Sequence, residues 1–163
     1  MIPIVSIVGR SGSGKTTLIE KMIGLLREKG YRVATIKHNI HGFDIDHEGK
    51  DSWRHRRAGA CVTVLASPGT VAVMEDTGKD LSIGEIRDRY IHNADIILSE
   101  GFKGNPYPKV EVLRGPTGYE LISSSDDNLI AVACDVPVDA GVERFDIDDA
   151  AGIVDLIEEL FLS

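Results

Sequence analysis

Gly9-Arg10-Ser11-Gly12-Ser13-Gly14-Lys15-Thr16 has the spacing G-x-x-x-x-G-K-[ST] of a phosphate-binding loop. Before it, Ile2-Pro3-Ile4-Val5-Ser6-Ile7-Val8 is β-branched and almost continuously apolar, as a strand covered on both faces would be. After it, Leu18, Ile19, Met22, Ile23, Leu25 and Leu26 recur at helical spacing, which predicts a helix over 16–29 stopped by Gly30. In that context the glycines let backbone N–H groups converge on an anion where a Cβ would clash. The helix N-terminus adds its dipole to those donors. Lys15 is therefore expected to reach the β- and γ-phosphates, with the Thr16 hydroxyl placed for Mg²⁺.

A strand over 31–36 follows, so the first 36 residues make a right-handed βαβ unit. A polar loop at 38–50 leads to a short basic helix over 51–59, with Asp51 or Ser52 as its N-cap. Two strands, 61–66 and 70–75, flank the turn Ser67-Pro68-Gly69 and predict a hairpin. Further on, a helix is expected over 81–92, with Ser82 near its start, and a buried strand over 95–99. The run 109–114 alternates Val110 and Val112 with charges and predicts one wet face. A continuous apolar strand over 129–134 and an amphipathic helix over 148–160 close the chain. The pattern is that of one α/β domain, 1–163: a three-layer P-loop NTPase-type fold with a mostly parallel sheet and helices on both faces.

With 163 residues, 42% of them apolar, the chain holds material for one core. Its net charge of −8 argues against binding nucleic acid or an anionic membrane. The charge is uneven: residues 1–60 carry 11 Lys/Arg against 6 Asp/Glu, which points to a local anion site near the loop. Cys61 and Cys134 sit in apolar runs and read as buried reduced thiols. The apolar opening is too short for a membrane span and lacks a basic leader, so cytoplasm is the expected location.

A phosphate loop needs an acid to hold the metal or its water shell. Glu100 ends the strand predicted at 95–99, and a parallel sheet puts that position at the ligand-binding carboxyl edge. Asp46, in the loop after the second strand, is the other candidate. Lys37 and His38 end the second strand and face phosphate or a partner. His38, His41, His47, His55 and Cys61 together invite a zinc reading, but no C-x₂-C or H-x₃₋₅-H ligand pattern sharpens it. The basic run 49–60 reads equally as a solvated helix face or as an anion or partner surface, and Trp53 as a core anchor or a contact.

At these residues the sequence resembles one family, the molybdopterin-guanine dinucleotide biosynthesis adaptor proteins called MobB. The resemblance rests on G-x-S-G-S-G-K-T-T-L at 9–18, T-I-K-H-x-x-H at 35–41, D-x-x-G-K-D-S-x-R-H-x-x-A-G-A at 46–60 and S-E-G-F-K at 99–103. It implies a GTP-binding homodimer with feeble GTPase activity that assists a MobA-type nucleotidyltransferase in attaching GMP to molybdopterin. Carried over by position, it implies GTP phosphates on residues 12–17, Lys15 and Glu100 in any hydrolysis, and Mg²⁺ near Thr16, Asp46 and Glu100. It places Lys37, His38, Arg54 and His55 near phosphate, pterin or MobA. The chain lacks the N-K-x-D stretch with which many GTPases read guanine; Asp135, directly after the strand 129–134, is placed to accept the guanine N1 and N2 protons, or is simply a turn residue before Val136-Pro137. Two other functions compete. A small-molecule kinase would need a lid, for which only Arg54, Arg56 and Arg57 are candidates. A metal-insertion NTPase would need a C-x-C or C-x-x-C motif that is missing.

Overall fold

Pro3 has no N–H to give a ladder, and strand β1 begins directly after it, at Ile4–Gly9. The computed structural model describes residues 1–39, 42, 45–102, 104–118, 120–123 and 128–163. His41 and Lys103, both in the quoted motifs, lie outside the described residues. The chain folds as two compact units, one of Met1–His38 with Ser82–Ser163 and one of Asn39–Leu81.

In the first unit β1 is followed by α1 (Lys15–Glu28), β2 (Val33–Lys37), then, after the second unit, α3 (Ile83–Tyr90). The chain continues through β5 (Ile96–Glu100), β6 (Lys109–Leu113), β7 (Leu129–Cys134), β8 (Glu143–Asp146) and α4 (Ala150–Phe161). The strands form one sheet in the order β2-β5-β1-β6-β7-β8. Every pairing in it is parallel. Alternation along β1 assigns the faces. Val5 and Ile7 pack with Leu18, Ile19, Met22 and Leu26 of α1 and with Ile153, Val154 and Ile157 of α4. Ile4 turns the other way, to Ile36, Ile97 and Ile83 of α3. Helices thus cover both faces, as expected, and each large side chain so buried stabilises the fold by about 1.5–3 kcal/mol. Gly30 ends the first helix in the left-handed region (φ 94°), its amide donating to the Arg27 carbonyl. Ser82 and Glu85 cap α3 reciprocally. Among the described residues no helix is long and apolar enough to cross a membrane.

Three expectations need correction in this unit and the next. The wet face predicted for 109–114 does not exist: β6 runs between β1 and β7 and all five of its residues are buried. Its charges are shut in and bonded, Lys109 Nζ donating to the Asn105 carbonyl at 2.6 Å. The Glu111 carboxylate accepts the Ile122 and Ser123 amides at 2.7 and 2.8 Å. Strand β8, four residues on the sheet edge, had no apolar pattern to announce it. Cys61 is exposed, whereas Cys134 is buried and its thiol pushed up by that burial; both are free.

The second unit holds α2 (Asp51–Arg57), β3 (Val62–Ser67) and β4 (Thr70–Glu75). The two strands form the antiparallel hairpin foreseen, closed by Pro68-Gly69 with Gly69 at φ 81°. The capping expectation fails: the residue before α2 is Lys50, with no side-chain cap, and Asp51 lies inside the first turn. Ser52 spends its hydroxyl elsewhere, donating to Asp46 Oδ1 at 2.8 Å.

Candidate functional site

Six parallel strands bring their carboxyl ends to one edge, and the site grows from there. Gly9 leaves β1 at φ 144°, and a Cβ on it would stand 2.5 Å from the Val112 carbonyl of β6, so no other residue fits beside that strand. Gly12 (φ 75°) and Gly14 (φ 101°) complete the bend. Gly14 is the N-cap of α1 and supplies no side-chain hydrogen bond to the amides of the first turn. That is the condition for binding an anion at a helix start.

The ammonium of Lys15 folds over the bend, 2.8 Å from the Arg10 carbonyl and 3.2 Å from that of Gly9. Ser13 is fully buried, and its hydroxyl has no hydrogen-bond partner among the described residues. The cradle a Cβ would fill, the orphaned hydroxyl and the ammonium together fit a polyphosphate.

On one side of the loop three expected residues come together. Thr16 Oγ1 donates to the Glu100 carboxylate at 3.2 and 3.3 Å, and Lys37 Nζ stands 3.4 Å from Glu100 Oε2. They come from three neighbouring strands: Glu100 ends β5, Lys37 ends β2, and Thr16 follows β1. The hydroxyl–carboxylate pair is the donor set a hard cation such as Mg²⁺ takes. Thr17 is exposed in the first turn of α1. The His38 ring stacks on Phe102, centroids 4.3 Å apart, and its amide donates to the Glu100 carbonyl. Gly101 makes room for that strand end, since a Cβ there would lie 2.9 Å from the His38 carbonyl.

On the other side lies a residue the sequence reading passed over. Arg114, directly after β6, donates from Nε to the Ser13 carbonyl at 3.3 Å, and its guanidinium stands 3.4 Å from where a Gly14 Cβ would be. Arg10 reaches the turn at Gly118, whose missing Cβ would lie 2.8 Å from Arg10 Nε. The signal for Arg114 was its place, the first residue past a strand of the parallel sheet. Asp135, the first residue past β7, accepts the Gly115 amide on Oδ1 at 2.8 Å and lines an open groove with Pro137 and Arg144. It ties the end of β7 to the turn after β6.

Asp46, Arg54 and His55 belong to the second unit. Asp46 Oδ1 accepts both the Ser52 hydroxyl and the His47 amide. Arg54 is exposed and lies 3.9 Å from Asp51. Trp53 is half-buried under the Arg57 guanidinium, 5.4 Å from the ring centroid. Among the described residues no three of His, Cys, Asp and Glu converge as metal ligands.

An anion loop at the middle of a wholly parallel, helix-covered sheet makes the first unit a P-loop NTPase-type α/β fold. A sequence model of the family described as "Molybdopterin guanine dinucleotide synthesis protein B" matches residues 4–135. The chain belongs to this family, MobB. It is 39% identical over 165 residues to a molybdopterin-guanine dinucleotide biosynthesis adapter protein of Escherichia coli, covering 98% of this chain and 93% of that one. A Haemophilus influenzae protein of the same description is 38% identical over 158 residues, covering 96% and 88%. Among solved structures, a molybdopterin-guanine biosynthesis protein B superposes with a TM-score of 0.77 at 32% identity, covering 96% of this chain and 99% of that one. Bacillus subtilis MobB does so with 0.73 at 32% identity, covering 97% of each.

Proposed function

We propose that the protein is a GTP-binding adaptor in molybdopterin guanine dinucleotide formation, working with a MobA-type transferase that joins GMP to molybdopterin. The observation that carries the reading is the loop itself: left-handed glycines, an uncapped helix start, a buried unpaired Ser13 hydroxyl and Lys15 across the bend. Family membership supports the pathway, since the relatives are described as adapters in it.

In this reading the amides of residues 12–17 and the Lys15 ammonium bind the β- and γ-phosphates. Thr16 and Glu100 hold Mg²⁺, which when bound neutralises charge on the phosphate oxygens. Lys37 anchors the Glu100 carboxylate, and Arg114 and Arg10 add positive charge on the opposite side. GTP turnover in this reading is feeble, far below the ~10 s⁻¹ of an ordinary enzyme. Asp135 reads guanine: with Oδ1 held by the Gly115 amide, its other oxygen accepts a base N–H. Val62, Val64, Val71 and Val73, exposed on one face of the hairpin, meet a second copy of the chain in a homodimer. Two free thiols suit a reducing cytoplasm.

Calorimetric titration with GTP and ATP tests the core of this. Wild type binds GTP in preference to ATP, and Asp135→Ala removes the preference. Lys15→Ala abolishes binding of both while circular dichroism stays native. Wild-type affinity in Lys15→Ala refutes the loop assignment. A GTP-dependent pull-down of a MobA-type transferase tests the adaptor role, and its failure with GTP bound refutes that role.

A further inference from the structure

Arg114 stands 101 positions beyond Ser13 in the chain, yet it takes hold of the loop's backbone there. Its Nε donates to the Ser13 carbonyl at 3.3 Å. Gly14, with no side chain, leaves room for the guanidinium: a Cβ there would lie 3.4 Å from Nη2 and 3.9 Å from Nε. Register sets the reach, since Gly9 of β1 pairs with Val112 of β6 and Arg114 follows just past that pair. The Arg114 backbone is itself fixed. Its carbonyl accepts the Thr117 amide and the Thr117 hydroxyl, both at 2.8 Å, and the next amide, that of Gly115, is held by Asp135. All of these groups lie in the first unit.

The Ser13 carbonyl and the Gly14 N–H belong to one peptide unit. A trans peptide is planar, so fixing its oxygen on Arg114 turns its N–H the opposite way. Gly14 stands at φ 101° and ψ 12°, in the left-handed region, where glycine rotates at little cost and a peptide unit beside it turns over readily. On the other side of that unit Ser13 is anchored by its buried side chain, whose hydroxyl would lie 2.9 Å from a Cβ on Gly9. An amide aimed at an anion contributes most when its direction is set beforehand, because no freedom is then lost on binding. We propose that Arg114 is a positioning residue of the loop: by binding the Ser13 carbonyl it holds the Gly14 N–H toward a bound polyphosphate, and this bond matters more than its positive charge. The proposal rests on the reading of the loop as a polyphosphate site and is independent of the base attached.

Three substitutions separate the bond from the charge. Glutamine carries its amide nitrogen directly after Cδ, where arginine carries Nε, so Arg114→Gln keeps a donor for the Ser13 carbonyl and loses the charge. Lysine has a methylene at that place, so Arg114→Lys keeps the charge without the donor. Arg114→Met has similar length and neither group.

The full chain is titrated by calorimetry with magnesium tripolyphosphate, a phosphate chain with no base. Arg114→Met weakens binding about tenfold, the worth of one oriented hydrogen bond, and Arg114→Lys weakens it nearly as much. Arg114→Gln stays within about threefold of wild type. Proton–nitrogen correlation spectra give a second readout. Tripolyphosphate shifts the Gly14 amide in wild type and in Arg114→Gln but far less in Arg114→Met, while the Gly12 amide responds alike in all three; a general loosening of the fold would move both. Wild-type affinity in Arg114→Met overturns the proposal, as does a Gly14 amide that responds there as in wild type. So does the reverse order, Arg114→Lys binding like wild type and Arg114→Gln falling tenfold, which would give the role to the charge and is readable even where Arg114→Met does not fold. Absence of tripolyphosphate binding in wild type overturns the polyphosphate reading of the loop and this proposal with it. Binding that is lost in Lys15→Ala but equal in wild type and all three Arg114 variants keeps the loop and overturns the positioning alone.

Discussion

Glu111 gives the strongest test of how the first unit is held together. Its carboxylate is 1% exposed in the middle of a central strand and accepts two backbone amides, Ile122 on one oxygen and Ser123 on the other. Glu111→Ala leaves the buried Ser123 amide and the part-buried Ile122 amide without their acceptor and removes the side chain they close on. At about 1–3 kcal/mol for each of the two stranded groups, the loss lies between about 2 and 6 kcal/mol and centres on about 3–5 kcal/mol. That is a large part of a total stability of about 5–15 kcal/mol, yet leaves the fold standing. With a urea dependence of about 2 kcal/mol per molar, the unfolding midpoint falls by roughly 1.5–2.5 M. Glu111→Gln keeps one acceptor and turns a donor on the other amide, so its midpoint falls by roughly 1 M. Urea unfolding followed by circular dichroism reads both, and hydrogen exchange shows faster exchange at the Ile122 and Ser123 amides. A midpoint in Glu111→Ala within ~0.3 M of wild type, against the slope assumed, would show that these bonds do not hold the segment.

Two more perturbations follow from the same geometry. Gly9→Ala must place a Cβ 2.5 Å from the Val112 carbonyl at a φ of 144°, and backbone strain of about 1–3 kcal/mol plus the clash lowers the melting temperature by roughly 6–12 °C; a scan within ~2 °C of wild type would contradict the close approach of these strands. The Asp95 carboxyl, gripped by the Arg32 guanidinium and then by its backbone N–H, is held at about 2 against an ordinary 3.8. A depressed carboxyl stabilises the fold fully above its unfolded value and loses that contribution as pH falls through its folded one. Asp95→Asn therefore flattens the fall in melting temperature between pH 4 and 2, and an unchanged slope would show that the fork does not persist in solution.

What the sequence disclosed depended on whether the cause was local. The β1–loop–α1 run was legible because apolar continuity, glycines at fixed spacing and a 3.6-residue period all lie within thirty residues. Thr16, Lys37 and Glu100 were legible as a group because strand ends in a parallel sheet share one edge, and the structure brings Thr16 Oγ1 and Lys37 Nζ each within 3.4 Å of the Glu100 carboxylate. The wetness assigned to β6 failed because alternating charge ordinarily marks a solvated face; here loop carbonyls and amides from residues 105, 122 and 123 replace water, and nothing in the strand announces them. Arg114 was missed for a related reason. Its neighbourhood with Ser13 follows from the pairing of β1 with β6, a relation between residues a hundred positions apart. Asp46 Oδ2 and Thr63 Oγ1, buried without a hydrogen-bond partner among the described residues, were beyond reach of pattern altogether, since an unmet hydrogen bond is visible only once its potential partners have been placed.

The order of strands in space also sets an order in time. β1 takes its place between β5 and β6, with Ile4 against Ile97 and Gly9 against Val112. A ribosome adding roughly 5–20 residues per second has released the glycine bend long before either flanking strand exists. Until residue 100 emerges, the bend belongs to an unpaired ribbon, and its second neighbour, β6, must wait for residue 113; closure awaits long-range contacts, the slow kind. The bend between β1 and α1 therefore gains its neighbours only after residues far along the polypeptide have emerged, and any fragment ending short of β5 carries Lys15 and Thr16 with neither flanking strand beside them.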